Sequence, residues 1–134
     1  MLTGSCLCGA IAYQADADLK RIVHCHCQTC RKAHSAAFTT TARADRGDFR
    51  WTAGEEAIGS FESTPGKLRH FCTRCGTQLI AEWVAQPQVI LRVGSLDEDP
   101  GERPSMHIWT SHEQPWLDHG TDIPSYPEAA PPKP

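Results

Sequence analysis

The stretch CTRCG, residues 72–76, repeats in outline the earlier CLCG, residues 6–9. In each, two cysteines stand two or three positions apart and a glycine follows the second. Cysteines at that spacing aim two sulfurs at one ion when the backbone bends between them, so each pair is half of a four-ligand site. A glycine just after the second ligand lets the chain turn through positive φ at little cost. Joined, Cys6, Cys8, Cys72 and Cys75 make one closed four-sulfur zinc site. It clips the N-terminal strand to the middle of the chain and serves stability.

Between the two pairs lies HCHCQTC, residues 24–30, with Cys25, Cys27 and Cys30. Gln28 and Arg31 follow its second and third cysteines, so this group differs from the outer pairs. Three thiolates without a fourth cysteine fit a zinc with an open coordination position, able to take a thiol or a carbonyl oxygen. Other readings stay open here. His24, His26, His34, His70 or His107 would each complete a closed site. The triplet would also work as a bare thiol cluster, or borrow an outer cysteine. His26 stands between two ligand positions and is expected to point away from a metal. His112 and His119 read as surface or hydrogen-bonded residues. Trp51, Trp83, Trp109 and Trp116 read as core, with Trp109 and Trp116 of interest only if they border the open site. Arg31 and Lys32 read either as thiolate partners or as a solvated face.

The chain has 134 residues and seven cysteines, 40% hydrophobic residues and a formal net charge of -3. A domain of this size buries a modest core, so metal staples are useful. Bound thiolates make the charge more negative: about -2 for a four-thiolate zinc and about -1 for a three-thiolate one. The acidic balance and the lack of a cationic block argue against nucleic acid or an anionic membrane as partner. No apolar run reaches the roughly 20 residues that span a bilayer, and the N-terminus lacks signal-peptide character. A cytoplasmic location is expected. Dense cysteine in a reducing compartment points to metal or catalysis rather than disulfides, and an odd count agrees. No phosphate-cradling glycine motif is present, which argues against a dehydrogenase.

The patterning is that of short strands: GAIAYQA, RIVHC, AAFTTTAR, FRWT, GEEAIGSFES, KLRHFC, TQLIAEW and QVILRVGSL. A turn is expected at Pro65–Gly66 and a single short helix over Gln28–His34. Residues 97–104 read as loop, and HIWTSHEQPWL begins as a strand. Residues 1–127 are expected to form one domain, and residues 128–134 a loose proline-rich tail.

The segments GSCLCGAIAY, CHCQTCRKAHSAAF, STPGKLRHFCTRCG and HIWTS…PW together resemble the glutathione-dependent formaldehyde-activating enzyme family, the group that also holds centromere protein V. The resemblance runs from Thr3 to Pro127. It implies a mostly-β, Mss4-like fold of small antiparallel sheets arranged as a tent, with little helix. It also implies two zinc ions per chain, a structural one on Cys6, Cys8, Cys72 and Cys75 and a catalytic one on Cys25, Cys27 and Cys30. The implied activity is that of a carbon–sulfur lyase, joining glutathione or a related thiol to formaldehyde as S-hydroxymethylglutathione. His34-Ser35 stands where many members carry glycine, a departure that leaves the ligands intact. Two other classes remain in view: a zinc-stabilised binding module, since the fold is shared with a zinc chaperone of GTPases, and a thiol-based redox sensor.

Overall fold

A computed structural model describes residues 1–118, 124, 126–129 and 131–132. His119 and the end of the proline-rich tail lie outside the described residues. Among the described residues the architecture is mostly β, in two sheets with one α-helix. The smaller sheet has the order β1-β2-β5, from β1 (Leu2–Ser5), β2 (Ala12–Ala15) and β5 (Phe49–Ala53). The larger has the order β10-β3-β4-β9-β8-β7-β6. Its strands are β3 (Asp18–Cys25), β4 (Thr39–Asp45), β6 (Ile58–Thr64), β7 (Lys67–Cys72), β8 (Gln78–Trp83), β9 (Gln88–Arg92) and β10 (Met106–Ile108).

The core lies between the sheets. Ile11, Tyr13 and Ala15 meet Ala44, Leu79, Val89 and Leu91 there, all almost fully buried. Each such aliphatic side chain contributes about 1.5–3 kcal/mol by leaving water. Tyr13 packs tilted on Phe49 at 5.4 Å and edge-on to Trp51 at 6.1 Å. Its hydroxyl, also buried, shares a 2.7 Å hydrogen bond with Ser95. Gly4 lets β1 pass against that ring, since a Cβ there would stand 2.2 Å from it. Trp51 is thus a core residue, as its sequence context suggests.

Two strands are shorter than the apolar runs imply. GEEA folds as a 3-10 turn, Glu55–Ala57, before β6 begins. The QVILRVGSL run leaves the ladder at Arg92 and turns through Val93–Ser95. The pairings are antiparallel except one. β10 runs parallel to β3 and sets Ile108 opposite Cys25. That pairing carries Trp109 and His112 to the end of β3, where the cysteine triplet begins.

Alternation along a strand divides the large sheet's faces. In β9, Val89 and Leu91 enter the core, while Ile90 and Arg92 line a cavity on the opposite face. The only α-helix among the described residues, α1 (Gln28–His34), lies beside that cavity.

Two cysteine clusters, one closed and one facing a cavity

The chain brings the outer cysteines together as the glycines predict. The Sγ atoms of Cys6, Cys8, Cys72 and Cys75 all lie within 4.8 Å of one another, and none is in a disulfide. Cys6 and Cys8 sulfurs are 3.6 Å apart, and those of Cys8 and Cys72 are 3.8 Å apart. A tetrahedral zinc with Zn–S near 2.3 Å needs sulfurs about 3.8 Å apart. The donor set therefore fits the ion.

The two supporting turns are built alike. Cys6 N donates to Ile11 O at 3.1 Å and Cys72 N to Thr77 O at 2.9 Å. Gly9 and Gly76 take φ of 79° and 80°, the left-handed region that favours glycine. Ile11 N donates to Cys6 Sγ at 3.2 Å and Arg74 N to Cys72 Sγ at 3.4 Å, which stabilises thiolate charge. Leu7 N donates to Thr77 Oγ1 and so laces one turn to the other.

The Cys25, Cys27 and Cys30 sulfurs also lie within 4.8 Å of one another. Cys25 is the last residue of β3. Cys27 caps α1, its sulfur accepting from Cys30 N at 3.3 Å in the way a serine cap accepts through oxygen. One short turn thus serves as helix cap and donor set together. α1 ends at Ser35, which is left-handed at φ 50° and ψ 45°. That conformation is one that glycine adopts at least cost.

No histidine joins the triplet's sulfurs among the described residues. His26 is fully buried with Nε2 2.8 Å from His107 Nδ1, and His24 Nδ1 is 2.9 Å from Thr40 Oγ1. Both pack around Phe38. His70 sits between Ser60 and Glu82 on the strands of the large sheet. His34 lies one helical turn beyond Cys30, and burial, helped by Arg92, pulls its pKa down to about 4. It is therefore neutral.

Cys25, Cys27 and Cys30 line a cavity of about 690 Å³. Trp109 and His112 stand in its wall, so the late segment does border the triplet; Trp83 does too. His112 Nδ1 lies 3.3 Å from Gln28 N at the start of α1. Trp116 borders a separate recess with Arg31 and Lys32.

Two cations at the triplet were not legible among its sequence neighbours. Arg69 of β7 is only 2% exposed. Its Nη1 and Nη2 reach Cys30 Sγ at 3.9 and 3.8 Å, Nη2 also reaches Thr29 Oγ1 at 3.1 Å, and Nε reaches Ser63 Oγ at 2.8 Å. Arg92 of β9 is 4% exposed, with Cys30 and Cys25 among its electrostatic partners. The pKa of Cys30 is lowered, first by hydrogen bonds with Cys25 and Cys27, then by Arg92 and Arg69. Arg31 and Lys32, adjacent in sequence, are not among the leading causes of that shift.

A two-sheet protein with a four-sulfur cluster and a three-sulfur cluster, each able to hold a metal ion, is the class that fold and site define. The chain belongs to the glutathione-dependent formaldehyde-activating enzyme family, whose sequence profile matches residues 1–112. It is 26% identical over 132 residues to the Halomonas elongata protein named "Putative glutathione-dependent formaldehyde-activating enzyme", covering 88% of this chain and 80% of that one. It is 33% identical over 76 residues to an "uncharacterized lyase" of Schizosaccharomyces pombe, covering 57% of this chain. The chain spans only about half (53%) of that yeast protein. A crystal structure of a Rhodobacter sphaeroides protein has the same fold, with a TM-score of 0.64 at 24% identity over 76% of this chain and 97% of that one. No helix among the described residues is long and apolar enough to cross a membrane.

Proposed function

We propose that this chain is a zinc-dependent carbon–sulfur lyase that makes or breaks the adduct of a thiol and a small aldehyde, glutathione and formaldehyde being the family's pair. One observation carries the reading: the Cys25, Cys27 and Cys30 sulfurs converge on one point beside a large cavity, with no fourth side-chain ligand among the described residues. Cys6, Cys8, Cys72 and Cys75 are assigned the structural zinc, and the triplet the second ion. A zinc held by the triplet supplies a Lewis acid that lowers the pKa of a thiol and fixes its direction.

The side chains around it complete the chemistry. Sulfur adds to the carbonyl carbon, the C–S bond forms, the C=O π pair moves to oxygen, and oxygen takes the proton that the thiol lost. Three thiolates beside an incoming fourth accumulate negative charge. Arg69 and Arg92 offset that charge from inside the protein, where it is least screened. Arg69 also donates to Cys30, which draws electron density from that sulfur and makes the site a better acceptor. Lys67 lines the same cavity, over the Trp83 ring at 5.3 Å. Burial lowers the pKa of its ammonium, so it releases a proton more readily. We assign it as donor to the new hydroxyl, and the proton that the thiol releases restores the ammonium.

The test is exchange spectroscopy of the glutathione–formaldehyde adduct with zinc-loaded protein. Exchange at least about tenfold faster than the spontaneous reaction is expected, with the acceleration lost in Cys27→Ser. Exchange no faster than in buffer overturns the reading.

A further inference from the structure

Arg69 and Arg92 are buried alike and differ in what they bind. Every nitrogen of Arg69 has a protein partner: Ser63, Thr29 and the Cys30 sulfur. In Arg92, Nε and Nη2 are buried and have no hydrogen-bond partner among the described residues. Its charge is answered by the Cys25 and Cys30 sulfurs, but buried N–H groups without a hydrogen-bond partner are costly, and beside a cavity a ligand can meet them. These two nitrogens are neighbours along one edge of the guanidinium. Their N–H groups point the same way, in the spacing of the two oxygens of a carboxylate.

The Arg92 side chain belongs to the reaction cavity. Arg92 lines it with Cys25, Cys27 and Cys30. The strand register fixes the side chain there, because Val89 and Leu91 occupy the opposite, core-facing side of β9. Around it the cavity is cationic. Arg21, Arg43 and Lys67 line it, with Asp18 as the only carboxylate among the described residues. Arg21 and Arg43 are exposed and Lys67 half-buried, so the charge runs from the rim down to Arg92 at depth. Such a gradient draws in an anion and desolvates it at the deepest arginine.

We propose that the Nε–Nη2 edge of Arg92 seats a carboxylate carried on the reacting end of the substrate. The adduct handled here then has a carboxylate close to the carbon–sulfur bond, on the short thiol or on the carbonyl compound, as in a 2-oxo acid. The assignment rests on the proposed reaction at the triplet. It requires no new co-reactant: the C–S bond forms or breaks as before, and the carboxylate is held unchanged.

The test uses the zinc-loaded full chain. Calorimetric titration compares 3-mercaptopropionate with 3-mercaptopropan-1-ol, alike in length and differing in charge. A preference for the acid of about tenfold or more is expected from a charge-assisted bidentate contact. The ratio of the two affinities should fall to within about twofold in Arg92→Gln, whatever that change does to the alcohol's own affinity. If the thiols bind equally, the carbonyl arm decides: glyoxylate should be favoured over formaldehyde in adduct exchange, and the preference should vanish in Arg92→Gln. Preference in the first arm places the carboxylate on the thiol, and preference in the second places it on the carbonyl compound.

Propionate, which has no thiol, tests the seat alone. It should move the Arg92 Nε–H resonance of the wild-type protein, a readout that needs no variant to fold. If propionate moves that resonance and no thiol binds, the reaction reading fails and the carboxylate seat stands. If thiols bind without regard to charge, glyoxylate gains nothing and the resonance stays still, the proposal is overturned.

Discussion

In the reading proposed above, the two cysteine clusters put the same sulfur chemistry to opposite ends. The closed cluster takes its donors from turns 64 residues apart, Cys8 and Cys72, and so joins the small sheet to the large one. The other takes all three donors from residues 25–30, at the junction of β3 and α1. Closing a long loop stabilises a fold, because the open chain loses much entropy in closing it unaided. Closing a six-residue loop stabilises little, which supports the chemical role proposed for those sulfurs. The surroundings agree. Backbone N–H groups and the Thr77 hydroxyl support the closed cluster, while two buried guanidiniums and a cavity attend the open one.

The largest expected effect follows from the closed cluster. A structural zinc contributes about 10–16 kcal/mol of apparent binding energy to folding. That is comparable with the whole stability of a domain, about 5–15 kcal/mol. Cys72→Ser, at a fully buried sulfur, is therefore expected to leave the chain unfolded at 25 °C. Collapsed amide dispersion in NMR spectra and loss of both zinc ions would show it. A folded variant retaining one zinc would reverse the roles assigned to the two clusters.

Cys27→Ser is the matched change at the open cluster, and its effect on the fold should be much smaller. Serine keeps the helix cap, since it is itself a favoured N-cap residue. The variant is expected to stay folded, to hold one zinc per chain in place of two, and to melt less than about 10 °C below the parent. Unfolding on a par with Cys72→Ser would erase the distinction between stabilising and chemical clusters.

The same contrast governs what the sequence made legible. The cysteine partition could be read because glycine after Cys8 and Cys75 encodes a local backbone need, and φ near 80° at Gly9 and Gly76 meets it. α1 could be read over its observed span, Gln28–His34, because its cap and its C-terminal turn are also local. β1 escaped notice, since LTGS has no alternation; it becomes a strand only because Gly4 fits against Tyr13 from β2. The parallel pairing of β10 with β3 spans some eighty residues and leaves no local trace. Arg69 and Arg92 escaped for the same reason. An arginine written in a strand looks solvated until the tertiary fold decides which face it takes, and here both face the triplet. The histidines misled in the opposite direction: proximity in sequence made them candidate ligands, while their rings pack around Phe38 or bond elsewhere.

The smallest effect sharpens the comparison at single residues. The closed cluster's turn uses glycine at Gly76, φ 80°, with open space where a Cβ would stand. The open cluster's helix ends instead on Ser35 at φ 50°, left-handed without being glycine. A non-glycine residue there costs about 1–2 kcal/mol, partly offset by glycine's greater entropy when unfolded. Ser35→Gly is therefore expected to stabilise by about 0.5–1 kcal/mol, and Gly76→Ala to destabilise by about 1 kcal/mol. In a chain of this length each is a shift of a few degrees in Tm, opposite in sign. Calorimetry of the two variants checks both. If Ser35→Gly fails to raise Tm, the serine side chain is stabilising the recess it shares with Trp116, and the helix end is held by more than its backbone.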